Sequence, residues 1–198
     1  MKRYDVPRLI FINKLDRMGA DPWNCLAQVR DRLGLTAAAV QVNIGVENGL
    51  EGVVDLVTMK AIYFDGSSGE VLREEEIPAD MLEFCLEKKL ELIGTLAELD
   101  EAMEEYYMEE IHDIPIDELK ACIRKHTLSL EFCPVFLGSA FKNKGVQPLL
   151  NGVIDYLPRP NEVKNFAFDP KAEDETKIEM IIDNKKPFVG LAFKLEET

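Results

Sequence analysis

Residues 6–16 read VPRLIFINKLD, and this stretch decides the fold. Its first seven residues form a short apolar run of the kind found in buried strands of parallel sheets. The run stops at Asn13, where a polar Asn-Lys-Leu-Asp loop begins. Asp21 and Pro22 then follow as an N-cap residue and a first helical residue, and helical spacing continues to Gly34. The pattern predicts a strand, a loop and a helix.

A second unit of the same kind lies towards the other end of the chain. Residues 134–137, PVFL, predict a short buried strand that ends at residues 138–140, Gly-Ser-Ala. A helix is predicted at about residues 146–156. Parallel strands that are each followed by a helix bring their loops to the carboxyl edge of the sheet, where α/β folds bind nucleotides. The sequence therefore predicts an α/β fold with two polar loops at that edge.

The residues between these two units predict a different arrangement. Residues 38–64 are rich in Val, Ile and aromatic side chains, which indicates strands and a hairpin. Residues 79–110 carry apolar side chains at helical spacing, and we expect a helix in two pieces that divide around Gly94 or Asp100. A further helix is predicted over about residues 117–128.

The charge is concentrated in one stretch of the chain. The protein has 37 acidic and 23 basic residues, and residues 65–118 alone hold 19 acidic and 3 basic residues, a net charge of −16. The remainder is nearly neutral. Because an acidic surface repels phosphate backbones, we do not expect this stretch to grip RNA, and a basic protein is a more suitable partner.

Cysteine spacing and hydropathy exclude several classes of protein. Cys25, Cys85, Cys122 and Cys133 lie far apart without a Cys-x-x-Cys pair, so we expect reduced, mostly buried thiols rather than a zinc site or a disulfide framework. No apolar run approaches the ~18 residues of a membrane span. Met1 is followed by Lys-Arg-Tyr-Asp, which matches neither a signal nor a transit peptide. We therefore expect a soluble protein with no membrane partner.

The two polar loops contain groups that can read guanine. The Asp16 carboxylate can accept hydrogen bonds from N1–H and the 2-amino group, whereas adenine offers neither donor. The Asn13 amide can serve the N7/O6 edge and tie the loops together, while the stem of Lys14 can lie across the rings. A backbone N–H at Ser139 or Ala140 can donate to O6. The alternative is a polar turn with local capping, but the position of both loops after apolar strands favours base recognition.

Longer matches around these loops resemble a known family. Residues 13–20, NKLDRMGA, and residues 138–147, GSAFKNKGVQ, resemble the fourth and fifth GTPase motifs as elongation factor G carries them. Residues 61–66, 155–158 and 187–194 are also similar to that family. The FINKLDR and IYFDG versions resemble the mitochondrial type. The resemblance covers essentially the whole chain.

This resemblance implies site residues and domain bounds. It assigns guanine recognition to Asn13, Lys14, Asp16, Ser139 and Ala140. It implies a partial P-loop GTPase domain at residues 1–157, a parallel sheet with helices that carries an inserted α+β subdomain at about residues 40–130. A linker would follow at residues 158–186, and residues 187–198 would begin the first strand of a β-barrel domain.

The departures from the family concern phosphate chemistry. The chain contains no Gly-x-x-x-x-Gly-Lys-[Ser/Thr] sequence and no switch segments, so no catalytic or metal-binding residue is implied here. GTP or GDP is the implied ligand, and Mg²⁺ is expected only in the complete protein. His112 and His126 do not resemble the catalytic histidine of the family, and we expect surface or capping roles for them. The chain alone is therefore expected to be inactive.

The resemblance implies a ribosome-dependent GTPase that promotes translocation of tRNA and mRNA during translation elongation. The ribosome is the implied partner, tRNA and mRNA are contacted indirectly, and a monomer is expected. The acidic helices at residues 79–118 would dock the stalk protein of the large ribosomal subunit. The implied location is the mitochondrial matrix, with the bacterial cytoplasm as the alternative.

Other functions share many of these features. A ribosome recycling GTPase or a ribosomal protection protein would carry the same two motifs, and the domains outside this chain distinguish them from an elongation factor. A stand-alone acidic interaction module would keep the fold without the enzyme. A phosphate-binding loop encoded upstream in the same reading frame would favour the enzyme over the module.

Overall fold

The computed structural model describes residues 4–109, 111, 113–168, 176–183, 185–190 and 194–196. The chain separates into two units, Met1–Leu157 and Pro158–Thr198. The strands are β1 (Ile10–Ile12), β2 (Ala37–Ala39), β3 (Gln41–Ile44), β4 (Gly52–Asp55), β5 (Lys60–Asp65), β6 (Val71–Glu75), β7 (Cys133–Leu137), β8 (Asn165–Phe168) and β9 (Lys177–Met180). The helices are α1 (Pro22–Leu33), α2 (Leu82–Ala97), α3 (Glu101–Met108), α4 (Ile116–Leu128) and α5 (Val146–Tyr156), with short 3₁₀ turns at Glu47–Gly49 and Pro160–Glu162.

A parallel sheet carries the two polar loops at one edge. Its strand order is β1-β7-β2, so β7 pairs with both other strands. β7 is buried along its whole length, as its apolar run predicts. β2 overlaps the start of the stretch 38–64 that was predicted to contain strands, but the sequence pattern did not indicate that it joins the parallel sheet. Its three alanines are all buried, which shows that packing, not propensity, selects the strand here.

The helix signals placed the helices of the first unit correctly. α1 begins after Asp21, whose side chain accepts a hydrogen bond from Asn24 N at 3.0 Å, and it ends at Gly34 with a φ of 58°. On its inner face Leu26 is buried against the parallel sheet in the cluster that also contains Ile12 and Leu137. α5 occupies the range predicted for it.

An antiparallel sheet and three helices form the region between the two predicted units. The sheet has the order β3-β4-β5-β6, and α2, α3 and α4 follow it in the chain. The predicted two-piece helix divides at Asp100, whose carboxylate caps α3 by accepting from Ala102 N at 3.2 Å, whereas α2 continues through Gly94. Leu92, Met103 and Ile123 are fully buried in the core that joins these helices to the strands. Burial of their apolar surface stabilises this arrangement.

The second unit contains an antiparallel strand pair. β8 pairs with β9, so the segment 158–186, which we predicted as a linker, includes regular structure. β8 and β9 form because each has a pairing partner close in the chain. The prolines from which the linker was predicted do not indicate this pairing. None of residues 187–190 and 194–196 belongs to a strand, and the remainder of the predicted barrel strand lies outside the described residues. The domain assignment itself stays a prediction.

The thiols follow the expectation from sequence. Cys85, Cys122 and Cys133 are buried and Cys25 is exposed, and all four are free. Burial raises the pKa of the Cys85 thiol to about 11, which keeps it protonated at neutral pH. Over the described part of the chain, no helix combines the length and the apolarity needed to cross a bilayer.

Candidate functional site

The two polar loops lie side by side because β1 and β7 are neighbours in the parallel sheet. Leu15 N–H donates to the Gly138 carbonyl at 3.1 Å, and Gly138 N–H donates to the Ile12 carbonyl at 3.1 Å. A Cβ atom at Gly138 would lie 2.2 Å from the Lys144 carbonyl oxygen, so only glycine permits this close approach. The ends of the two strands therefore form one continuous surface.

The Asn13 amide ties the two loops together, as its position predicted. Its Oδ1 atom accepts from Ala140 N–H at 2.9 Å and from Lys14 N–H at 2.7 Å. Ser139 N–H donates to the Lys144 carbonyl at 2.8 Å. The two backbone donors that we expected to reach O6 thus already have acceptors within the protein. Donation from Ala140 to O6 requires a shared, three-centre hydrogen bond or a small rearrangement.

The Asp16 carboxylate is held in place by a serine hydroxyl. Ser139 Oγ donates to Asp16 Oδ1 at 2.6 Å, and Asp16 Oδ2 lies 4.0 Å from Arg17 Nε. The hydrogen bond from Ser139 is the main reason why the pKa of Asp16 is below its ordinary value. The carboxylate is therefore ionised at neutral pH and able to accept further hydrogen bonds. Ser139 is fully buried, so its hydroxyl positions Asp16 rather than presenting a surface group.

Lys14 lies at the rim of the same surface. Its side chain is exposed, and its backbone adopts a φ of 66°, in the left-handed region that non-glycine residues rarely occupy. Such conformations concentrate at functional sites, where surrounding contacts hold them. The exposed side chain of Lys14 is therefore free of the protein core, and its contact with a ligand stays a prediction.

Two residues at this site were not identified from sequence. The Lys144 ammonium donates to the Leu50 carbonyl at 2.6 Å, and Glu47 Oε1 accepts from Gly19 N–H at 2.7 Å. The paired residues lie 94 and 28 positions apart in the chain. No local sequence pattern predicts that a lysine or a glutamate in a loop will form such a long-range hydrogen bond, and only the tertiary structure shows it.

His126 is buried between two carboxylates, so our expectation of a surface or capping role is wrong for this residue. Its side chain is 4% exposed, with Nε2 3.1 Å from Asp100 Oδ2 and Nδ1 3.0 Å from Glu131 Oε2. The apolar face of α4 carries it inward, and each ring nitrogen lies within hydrogen-bond distance of a carboxylate oxygen. His112 lies outside the described residues.

Asp100 also accepts from the Lys125 ammonium at 2.6 Å. Donor atoms of Asp100, Cys122 and His126 lie within 4.8 Å of one another, and residues of these types bind zinc in other proteins. Here the carboxylate oxygen is already shared by a lysine and a histidine. The contacts fit a structural ion network that joins α3 to α4.

Replacing Asp100 by asparagine is expected to destabilise the protein in a pH-dependent way. Lys125 and His126 lower the pKa of Asp100 from 3.8 to about 2. A lowered carboxyl pKa stabilises the fold above the unfolded-state value, and that stability is lost as pH falls through the folded-state value. An asparagine side chain can keep its oxygen on the Ala102 N–H and still cap the helix, so the substitution removes the charge together with the contacts that Oδ2 makes to Lys125 and His126. We expect a loss of about 2 kcal/mol at neutral pH that shrinks as the pH falls below about 4.

Urea unfolding of the parent and of Asp100→Asn at several pH values measures this loss. Asp80→Asn is the control, because Asp80 is exposed at the start of the same helical region. The control should leave the free energy of unfolding nearly unchanged. A pH-independent difference between parent and Asp100→Asn would show that the ion network contributes little.

Three comparisons place the chain among known proteins. The family model that matches residues 1–159 is described as the elongation factor Tu GTP binding domain. Elongation factor G-1, mitochondrial, from Arabidopsis thaliana is 50% identical over 197 residues, which cover 100% of this chain and 26% of that protein. A crystal structure of a protein from Thermus thermophilus is 25% identical with a TM-score of 0.69, over 84% of this chain and 25% of that chain. The chain thus spans about a quarter of the length of each relative.

Proposed function

The chain belongs to the family of the elongation factor Tu GTP-binding domain, and from this premise we propose that it is the guanine-reading part of a ribosome-dependent GTPase of the elongation factor G type. The observation that carries the proposal is the ionised Asp16 carboxylate, held by the Ser139 hydroxyl at 2.6 Å beside the Asn13 amide that joins the two loops. The matching fold and the similarity to a mitochondrial elongation factor G support it.

The arrangement of Asp16 suits guanine and not adenine. A carboxylate has about four acceptor positions, so Asp16 can keep the Ser139 donor and still accept from N1–H and the 2-amino group of the base. Adenine has neither donor, so the acceptor positions of the carboxylate that face the base would stay unpaired. Sites built on such hydrogen bonds discriminate by factors of about 10⁴ or more. Lys14 would cover the base, and Asn13 and Ala140 would serve its N7/O6 edge.

GTP and GDP are the proposed ligands, and Mg²⁺ would belong to the phosphate region of a complete protein. The proposed activity of that protein is GTP hydrolysis coupled to movement of tRNA and mRNA on the ribosome during protein biosynthesis. We propose a monomer that contacts tRNA and mRNA indirectly. The name of the Arabidopsis relative supports the mitochondrial matrix as the location, with the bacterial cytoplasm as the alternative.

The inserted helices offer a surface for a basic protein. A groove of about 600 Å³ lies between α2 and α3, here called the acidic groove. Its lining includes the acidic side chains of Glu87, Glu98 and Glu104 and the apolar side chains of Leu90, Tyr107 and Met108. Acidic and apolar groups together suit a basic, amphipathic segment. We propose the stalk protein of the large ribosomal subunit as the occupant.

The chain alone is expected to bind GDP more weakly than micromolar and to hydrolyse no GTP. It offers contacts to the base, whereas the phosphates and Mg²⁺ contribute most of the affinity and all of the catalysis in such enzymes. Isothermal titration with GDP and Mg²⁺ measures the affinity. The positive control is a chimera in which this chain replaces the aligned 26% of the Arabidopsis relative. Micromolar or tighter binding by the isolated chain would contradict the expectation.

A further inference from the structure

The two polar loops that begin at Asn13 and at Gly138 are here called the base-reading loops. A loop of the inserted subdomain directly contacts the first of them. Glu47 N–H donates to the Leu15 carbonyl at 2.6 Å, and Glu47 Oε1 accepts from Gly19 N–H at 2.7 Å. Leu15 immediately precedes Asp16, and Gly19 lies three residues after Asp16. Glu47 therefore makes one hydrogen bond to the residue before Asp16 and a second to a residue shortly after it, and Asp16 is the residue proposed to read guanine.

The segment 45–50, here called the clasp, is itself firmly held. Leu50 is 3% exposed and packs in the cluster that contains Leu15 and Leu137, so the clasp shares a core with both base-reading loops. The Lys144 ammonium donates to the Leu50 carbonyl at 2.6 Å. A Cβ atom at Gly45, where φ is 76°, would lie 1.8 Å from the Gly49 carbonyl oxygen, so the clasp closes tightly on itself.

The backbone of Glu47 is strained in a way that its contacts explain. Its φ of 58° lies in the left-handed region, which costs a non-glycine residue about 1 kcal/mol or more. Such a conformation persists where the surrounding structure holds it, and here it aims both the N–H and the carboxylate at the same loop. A glycine would adopt this backbone without strain but would lose the carboxylate.

The base-reading loop is thus held from two sides. Leu15 N–H donates to the Gly138 carbonyl on one side, and Leu15 O accepts from the clasp on the other. On the side of Gly138, the Asp16 carboxylate accepts from the Ser139 hydroxyl. On the side of the clasp, the Glu47 carboxylate accepts from the Gly19 N–H.

We propose that Glu47 is a positioning residue for guanine recognition, because its carboxylate holds the Gly19 N–H and with it the turn that carries Asp16. This inference rests on the proposed function of Asp16. It also links the site to the inserted subdomain, since the clasp joins β3 to β4. Any change that displaces the clasp lowers guanine affinity, and by reciprocity guanine binding stabilises the clasp.

The test uses the 198-residue chain, isotope-labelled for NMR, with GDP and ADP as probes. ADP carries the same phosphates, so the difference between the two titrations isolates the base. In the parent, GDP at millimolar concentrations should shift the amides of Asp16 and Ala140, and ADP should not. In Glu47→Ala the initial slope of the GDP shifts should fall about tenfold, the effect of one lost charge-assisted hydrogen bond. Glu47→Gln keeps a side-chain acceptor and should restore the slope to within about twofold.

Glu51→Ala is the matched control, because Glu51 is exposed four residues away and shows no side-chain partner in the described part of the chain. Its titration should match that of the parent. A second readout is hydrogen exchange at the Gly19 amide, which should be slow in the parent and in Glu47→Gln and fast in Glu47→Ala.

The outcomes separate the two proposals. Equal responses of the parent to GDP and ADP would reject guanine recognition by Asp16. A guanine-selective parent whose Glu47→Ala variant keeps the same slope would reject the positioning role and leave the site intact. A Gly19 amide that exchanges equally fast in parent and variant would also reject it. General loss of spectral dispersion in Glu47→Ala would make Glu47 a folding residue and overturn the proposal as well.

Discussion

Asp16→Asn is expected to exchange guanine recognition for xanthine recognition in the chimera with the Arabidopsis relative. The substitution turns one carboxylate oxygen into an amide donor. Because the Ser139 hydroxyl donates to Oδ1, it favours the rotamer that keeps oxygen there and directs the new N–H₂ towards the base. The new amide donor faces another donor in the 2-amino group of guanine, whereas the 2-oxo group of xanthine can accept a hydrogen bond from it. GTP affinity should fall by about 10²–10³-fold, since two hydrogen bonds to a charged acceptor are lost.

Competition between GTP and xanthosine triphosphate for the chimera measures the exchange. Asp16→Ala is the matched control, because it removes the acceptor without supplying a donor. It should lose GTP and gain no affinity for xanthosine triphosphate. If Asp16→Asn kept its preference for GTP, Asp16 would not be the residue that reads the base.

Reversal of Glu101, Glu104 and Glu105 to lysine is expected to slow association with ribosomes by about tenfold or more at low salt. The three residues are exposed on α3, and Glu104 lines the acidic groove. Their reversal changes the net charge of residues 65–118 from −16 to −10. Opposite charges mainly raise the association rate, because steering acts before contact. At physiological ionic strength, salt screens this electrostatic steering over a Debye length of about 8 Å. GTP affinity should not change, since none of the hydrogen bonds described for the two base-reading loops involves α3.

Stopped-flow association of the chimera with ribosomes at two salt concentrations measures the rate. The control reverses Asp31, Glu51 and Glu179, which are exposed and lie outside the acidic stretch, so the total charge change is the same. The control should associate at nearly the parent rate. Equal rates for parent and α3 variant at low salt would reject the acidic groove as a docking surface. Equal slowing by both variants would assign the effect to total charge.

Local pattern predicted the elements that contain the site. A buried apolar strand, a capped helix and a polar loop each depend on residues within a few positions, so the bounds of α1 and α5 and the α/β fold class are confirmed. The strand β7 begins one residue before the predicted range, and β1 covers only Ile10–Ile12 of the predicted run 6–12. The place of β2 in the parallel sheet was not predicted, because its pairing with β7 joins residues that are distant in sequence. His126 was misread because helical spacing alone did not show that its face packs against Asp100.

The sequence by itself determined which donors and acceptors the two polar loops carry, because the side chains of Asn13, Asp16 and Ser139 have hydrogen-bonding groups that are known before folding. Guanine recognition by these residues stays a prediction. Only the tertiary structure decided how those groups are held. The hydroxyl of Ser139 meets Asp16 across 123 residues, and the clasp reaches Gly19 across 28. Contacts of this kind depend on which strands become neighbours and on how the loop between β3 and β4 folds back, and these are properties of packing that no local pattern records.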